Sequence, residues 1–305
     1  MILVTGGTGK IGRELVQDLQ ARHCPFKVMV RSKDALRTFE AQGTQAVLGD
    51  FERPGTCADA LTGVHQVFLL TVPQPGTPAL EGEFLKACKA KGVLHVVRLS
   101  AMGADPGSAS GLLRCHGACE AQLEASGLAW TFLRPTIFMQ NLVQHFGPAV
   151  ARESTLYAPA GEARLPWVDT RDIAAVAGAV LTASGHENLV YELTGPEART
   201  YGQVAERLSA LLGRRIAFVD VPDGAARQAM TGMGLSPWLA EGMLSLYHLF
   251  KANGATALVL DTVERLTGRP ARTLDAYLQE NLAAFRPAPV PAMAEVPIRL
   301  RDTTN

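Results

Sequence analysis

The sequence predicts an α/β protein, a doubly wound parallel sheet with a smaller, mostly helical C-terminal lobe. Three observations predict it. Short, near-continuous apolar runs recur through the first two-thirds of the chain, as strands buried on both faces require. Stretches with 3.6-residue apolar periodicity separate them. A Gly-rich turn joins the first run to the first helical stretch. Alternating strands and helices with right-handed crossovers then cover both faces of one sheet.

The elements follow in order. Residues 2–4 form the first strand, and Ile11, Leu15, Val16 and Leu19 mark the buried stripe of the helix after it. Further strands are expected over 27–31, 45–48, 66–71, 95–100 and 130–134. The clearest helices between them are 79–91 and 111–126. After about residue 150 the pattern loosens. A strand is expected over 164–168, a helix over 172–182, a strand over 190–193 and a helix over 201–212. Residues 223–285 read as mostly helical, broken by Gly232, Gly234 and Pro237.

Bulk properties exclude several classes of partner. Lys plus Arg number 29 and Asp plus Glu number 29, so no basic field is available to hold nucleic acid. No apolar run is long enough to cross a bilayer, and no membrane partner is expected. The first strand begins at residue 1, so no signal peptide is expected. Five scattered cysteines suit reduced thiols in the cytoplasm better than a disulfide framework. A monomer or homodimer is expected.

The turn over residues 5–12 reads T-G-G-T-G-K-I-G. Gly6 permits a tight turn, Gly9 lets the backbone approach a pyrophosphate, and Gly12 lets the helix pack near the strand. The helix N-terminus then aims its N–H groups at the phosphates. Gly6, Thr8, Gly9, Lys10, Ile11 and Gly12 are therefore candidate dinucleotide-binding residues of a Rossmann-like fold. An acid after the second strand would mark NAD. Here Arg31, Ser32 and Lys33 stand there, and two cations suit a 2′-phosphate. NADP(H) is preferred and NAD(H) possible, with Asp34 close by as a counter-charge. In Gly49-Asp50-Phe51, Asp50 could accept from an adenine amino group or serve its own turn, with Phe51 beside it. Thr71, Val72 and Pro73 end the fourth strand, where they would line ribose and pyrophosphate. The organisation expected is a dinucleotide-binding core over 1–150, an interleaved substrate lobe over 151–285 and a Pro-rich tail over 286–305.

These residues resemble the NmrA-like group of atypical short-chain dehydrogenase/reductases, which includes quinone and triphenylmethane-dye reductases. The resemblance spans residues 1–285 and rests on T-G-G-T-G-K-I-G, R-S-K, G-D-F, L-S-A-M-G-A, the stretch 126–141 and W-V-D-T-R-D-I-A over 167–174. The family at large uses Tyr-x-x-x-Lys on the helix after strand five. This chain has His116-x-x-x-Glu120 there instead, similar to quinone-reductase-like members. One helical turn apart, the two share a face. Glu120 could orient the imidazole, and His116 could bond the ribose or relay a proton near neutral pH; an ordinary surface pair is the alternative. Tyr247 and Lys251 reproduce the family spacing far down the C-terminal lobe and read as coincidence. Cys115 and Cys119 share a turn with His116, but no second ligand cluster accompanies them, so no metal is expected.

Ser100 stands where the family's catalytic Ser would be and could donate to a substrate carbonyl or to a carboxamide. The resemblance puts Pro135, Thr136 and Phe138 beside the nicotinamide and Asn141 toward the substrate. Phe138, Met139, Trp167 and the Met-rich stretch 229–243 would wall an apolar pocket or simply fill the core. The resemblance implies an NADPH-dependent reductase. It would transfer hydride to a planar conjugated acceptor such as a quinone, dye, enone or carbonyl. Such acceptors give stabilised anions, so loss of Tyr-x-x-x-Lys need not abolish activity. Two alternatives stand beside it: a non-catalytic NADP(H)-binding sensor that docks a regulatory partner, and a reductase or isomerase for a biosynthetic intermediate.

Overall fold

The computed structural model describes residues 1–252 and 257–287. The expected tail falls outside them beyond residue 287. Nine strands lie among the described residues: β1 (Ile2–Val4), β2 (Phe26–Val30), β3 (Ala46–Leu48), β4 (Gln66–Leu69), β5 (His95–Leu99), β6 (Ala129–Pro135), β7 (Thr155–Ala158), β8 (Leu189–Leu193) and β9 (Ala217–Asp220). Seven of them form one sheet, ordered β3-β2-β1-β4-β5-β6-β8, and every pairing is parallel. The chain leaves β1 outward to β2 and β3, then returns to β4 on the other side. The topological switch therefore lies between β1 and β4, where ligands of such sheets collect.

The sheet is buried on both faces because its side chains alternate between two cores. Ile2 and Val4 of β1, Phe68 of β4 and Val97 of β5 face one core with helix α1 (Lys10–Ala21), α2 (Lys33–Ala41) and α7 (Thr170–Thr182). Leu3, Val67 and Val96 face the other with α3 (Pro54–Ala60), α4 (Thr77–Ala90) and α5 (Gly111–Ala125). The result is a three-layer, Rossmann-like α/β fold.

A third core fills the C-terminal lobe around Leu156, Trp167, Tyr201, Tyr277 and Phe285. It joins α6 (Gly147–Glu153), α8 (Tyr201–Leu212), α10 (Pro237–Lys251) and α12 (Leu274–Glu280) to the parallel pair β7-β9. Helix α9 (Asp223–Gly232) packs on α10 in the lobe, whereas α11 (Thr262–Thr267) packs on α7 and β8 at the sheet. The lobe and the sheet share one stretch of chain, since α7 and β8 belong to the sheet yet lie beyond residue 150.

One sequence expectation differs from the structure, and one pair of strands went unpredicted. Residues 164–168 do not form a strand: Leu165 makes a single antiparallel bridge to Arg199, and Val168 a single parallel one to Phe138. Pro166 sits between them, without the N–H a ladder needs. The pair β7-β9 gave no signal, being four residues each and half-exposed.

Candidate active site

The Gly-rich turn takes its form from close backbone approaches. Gly6 has φ +66°, a left-handed conformation that favours glycine. A Cβ on Gly7 would lie 2.3 Å from Val28 Cγ1 in β2, and one on Gly12 would lie 2.2 Å from the Gly6 carbonyl oxygen. Gly7, then, is what lets the turn pack on the strand. Gly12 seats α1 on the turn itself, whereas the expectation was a close approach to the strand. Gly9 is the N-cap of α1 and offers no side chain to it, whereas Ser32, Ser110 and Asp169 cap α2, α5 and α7. The leading N–H groups of α1 are left for an anion, and the cradle fits a pyrophosphate. Thr8 and Lys10 are exposed beside it, with the Lys10 ammonium bonded to the Gln144 side chain.

At the far end of the switch, Arg31 and Lys33 are exposed where β2 gives way to α2. The Ser32 hydroxyl is in use, accepting from the Ala35 N–H at 3.2 Å. Asp34 faces Arg37 at 3.6 Å. The Asp50 carboxylate serves its own turn, with Oδ1 accepting from Glu52 N at 3.1 Å and Oδ2 from Arg53 Nε at 3.1 Å. Phe51 packs edge-on against Phe84, centroids 5.0 Å apart.

A cavity of about 430 Å³ opens at the C-terminal ends of β4, β5 and β6, against the start of α1. Thr71, Pro73, Ser100, Pro135, Thr136 and Phe138 line it, with Lys10 and Ile11 from the turn side. Val72 does not; it is 74% exposed and points to solvent. Ser100 is 4% exposed and its hydroxyl has no partner within the protein, so it is free to bond whatever enters.

His116 also lines this cavity, but its partner is not the one expected. Glu120 is bonded to Arg134, at 3.0 and 2.5 Å, and faces away from the cavity. His116 Nδ1 instead lies 3.2 Å from Arg98 Nη1. Arginine only donates, so Nδ1 accepts and the imidazole proton sits on Nε2. Arg98 is itself buried in β5 and held by Glu81 at 2.8 and 3.1 Å, and Glu81 also accepts from Thr71 at 2.5 Å. Burial and the Arg98 guanidinium push the His116 pKa down to about 3. His116 is therefore a fixed neutral donor and not a proton relay near neutral pH.

A second cavity of about 730 Å³ adjoins the first, and Ile137, Asn141 and Met243 line both. Its walls are largely apolar, with Phe146, Met230, Met233 and Leu235 contributing. Trp167 is absent from both cavities: at 1% exposure it is a core residue, edge-on to Tyr201 at 5.1 Å. Met139 is likewise fully buried in the lobe core. Cys115 and Cys119 are buried, and no three His, Cys, Asp or Glu side chains among the described residues gather as a metal site requires.

Sequence reasoning missed Arg98, Glu81 and Tyr201, and it named Tyr247 only to set its spacing with Lys251 aside. The signal for Arg98 was a charge inside the apolar strand H-V-V-R-L. Tyr247 lines the second cavity, while Lys251 is exposed at the end of the same helix, so the two do not act as a pair.

A family model described as NAD(P)H-binding matches residues 6–183. The chain is 43% identical over 285 residues to the NAD(P)H azoreductase of Xenophilus azovorans, covering 93% of this chain and 99% of that one. It is 38% identical over 288 residues to the (4-alkanoyl-5-oxo-2,5-dihydrofuran-3-yl)methyl phosphate reductase of Streptomyces griseus, covering 94% and 100%. Among solved structures, the NADPH-dependent quinone oxidoreductase of Escherichia coli in complex with NADPH superimposes with a TM-score of 0.83 at 26% identity, covering 92% of this chain and 100% of that one.

Proposed function

This chain belongs to the NAD(P)H-binding family, and from that premise we propose that it is an NADPH-dependent reductase of planar conjugated acceptors. The observation that carries the reading is the pair of joined cavities. One lies against the uncapped N-terminus of α1 and the larger, apolar one opens from it at Ile137, Asn141 and Met243. A volume of about 730 Å³ suits a multi-ring acceptor. Relatives named as an azoreductase and a quinone oxidoreductase support it.

The N–H groups of α1 hold the pyrophosphate, with Gly6, Thr8, Gly9, Lys10, Ile11 and Gly12 shaping the cradle. Arg31 and Lys33 hold the 2′-phosphate, so NADH binds more weakly. Ser100 Oγ and His116 Nε2–H donate to the nicotinamide end, and the chain Thr71–Glu81–Arg98 fixes the imidazole. Bound NADPH supplies a hydride from C4 of its nicotinamide. Phe138 and Asn141 present the acceptor to it. The reduced product is a delocalised anion, which is why a neutral His116 suffices in place of an acid. Five cysteines with no disulfide among them support a reducing compartment such as the cytoplasm, and among the described residues no helix is long and apolar enough to cross a membrane.

The test is oxidation of NADPH and NADH by the purified protein with a naphthoquinone, an azo dye and a triarylmethane dye. NADPH-selective turnover of at least one is expected. Arg31→Asp should raise KM for NADPH by roughly tenfold or more, and that for NADH by less than about twofold. Equal effects on both cofactors would remove Arg31 from the 2′-phosphate site. Tight NADPH binding with turnover of none would return the sensor reading.

A further inference from the structure

Tyr201, at the start of α8, and Tyr247, in α10, meet hydroxyl to hydroxyl at 3.1 Å. Both line the second cavity. Neither hydroxyl has another partner among the described residues. Two protons therefore share one hydrogen bond. If Tyr247 donated, the proton of Tyr201 would be enclosed with nothing to accept it, because Tyr201 has 0% exposure. An unmet buried donor costs about 1–3 kcal/mol. If Tyr201 donates, its proton is satisfied, and the free O–H belongs to Tyr247, a lining residue of the cavity that keeps 4% exposure.

We propose that Tyr247 is the hydrogen-bond donor that meets a polar atom of the acceptor in the second cavity, an inference that rests on the reductase reading above. The class of substrate it selects is a polycyclic or aryl-conjugated molecule whose carbonyl oxygen, or equivalent acceptor atom, is conjugated to the carbon or heteroatom reduced. The walls around it, Phe146, Met230, Met233 and Met243, offer such a molecule area but little direction. Asn141, Gln144, His145, Arg152 and Tyr157 also reach this lining, and Tyr247 adds a donor held in place by Tyr201 that supplies the direction. It also lies ready for the negative charge that grows on that atom as hydride arrives. Burial pushes both phenols above their ordinary range, so Tyr247 donates a hydrogen bond and keeps its proton. The family spacing Tyr247-x-x-x-Lys251 plays no part, because Lys251 lies outside the cavity.

The experiment is calorimetric binding of menadione and 2-methylnaphthalene to the full chain saturated with NADP+. The two probes differ in the two carbonyls. Wild type should prefer menadione by roughly tenfold, the worth of one hydrogen bond. Tyr247→Phe should weaken menadione alone and bring the two probes to within about twofold. Tyr201→Phe, equally conservative, should keep the preference. Retention of the preference in Tyr247→Phe, or its absence in wild type, overturns the proposal. Its loss in Tyr201→Phe with retention in Tyr247→Phe reverses the direction of the bond and overturns it too. NADPH oxidation by menadione, followed in parallel, reports on the reductase reading separately. The binding preference stands or falls on Tyr247 whether or not turnover is seen.

Discussion

His116 shows how far a single residue can be read from its neighbours in sequence. Helical spacing put Glu120 on its face, and the two share α5, but Glu120 is taken by Arg134 and His116 by Arg98. Both arginines come from strands paired within the sheet, so the pairing is set by how α5 lies across β5 and β6. Spacing along one helix carries no information about that. The same holds for Trp167, whose apolar bulk suits a pocket wall or a core equally until packing decides. Ser100, Thr71, Pro135 and Thr136 meet on the first cavity because strand ends in a parallel sheet all reach the same edge. A pH experiment tests the environment of His116. Its pKa falls from 6.5 to about 3 on folding, so between those values the unfolded chain holds one proton more. This contribution to stability is complete above pH 6.5 and is lost as pH falls toward 3. His116→Asn should remove up to about 1.4 kcal/mol per pH unit from the slope of unfolding free energy between those limits. Urea melts at stepped pH read this directly; an unchanged slope would mean that His116 protonates freely in the folded protein.

At the scale of elements, the strands of the large sheet were readable within a residue or two because burial on both faces leaves unbroken apolar runs. The lobe was less readable for the opposite reason. β7 and β9 are short and partly exposed, and Pro166 splits an apolar stretch into two isolated bridges. The β1–turn–α1 unit sits between these extremes. Its motif was plain, yet the contact that demands glycine at position 12 is with the turn carbonyl. A backbone atom at 2.2 Å cannot move aside. Gly12→Ala should therefore cost about 1–3 kcal/mol of stability and weaken NADPH binding by roughly tenfold or more as α1 shifts. Gly55, in α3, has nothing within 4 Å of where its Cβ would stand. Gly55→Ala should be neutral or stabilising by up to about 1 kcal/mol. Chemical denaturation and NADPH titration of the two variants, side by side, would expose a cradle that tolerates Gly12→Ala.

At the scale of the whole molecule, the switch between β1 and β4 fixes where a dinucleotide lies, and the lobe decides what it meets. In the proposed site the sheet end offers Ser100 and His116 as donors, and the lobe offers an apolar chamber with Tyr247 in its wall. The proposed hydride transfer between the two cavities would join them. The measurement closest to it is single-turnover oxidation by 1,4-naphthoquinone of NADPH carrying deuterium on one or the other face of C4. One deuterated form should react more slowly and the other at the rate of unlabelled NADPH, because a fixed chamber presents the acceptor to one face. Equal rates for both forms, or no oxidation at all, would contradict direct transfer across this site.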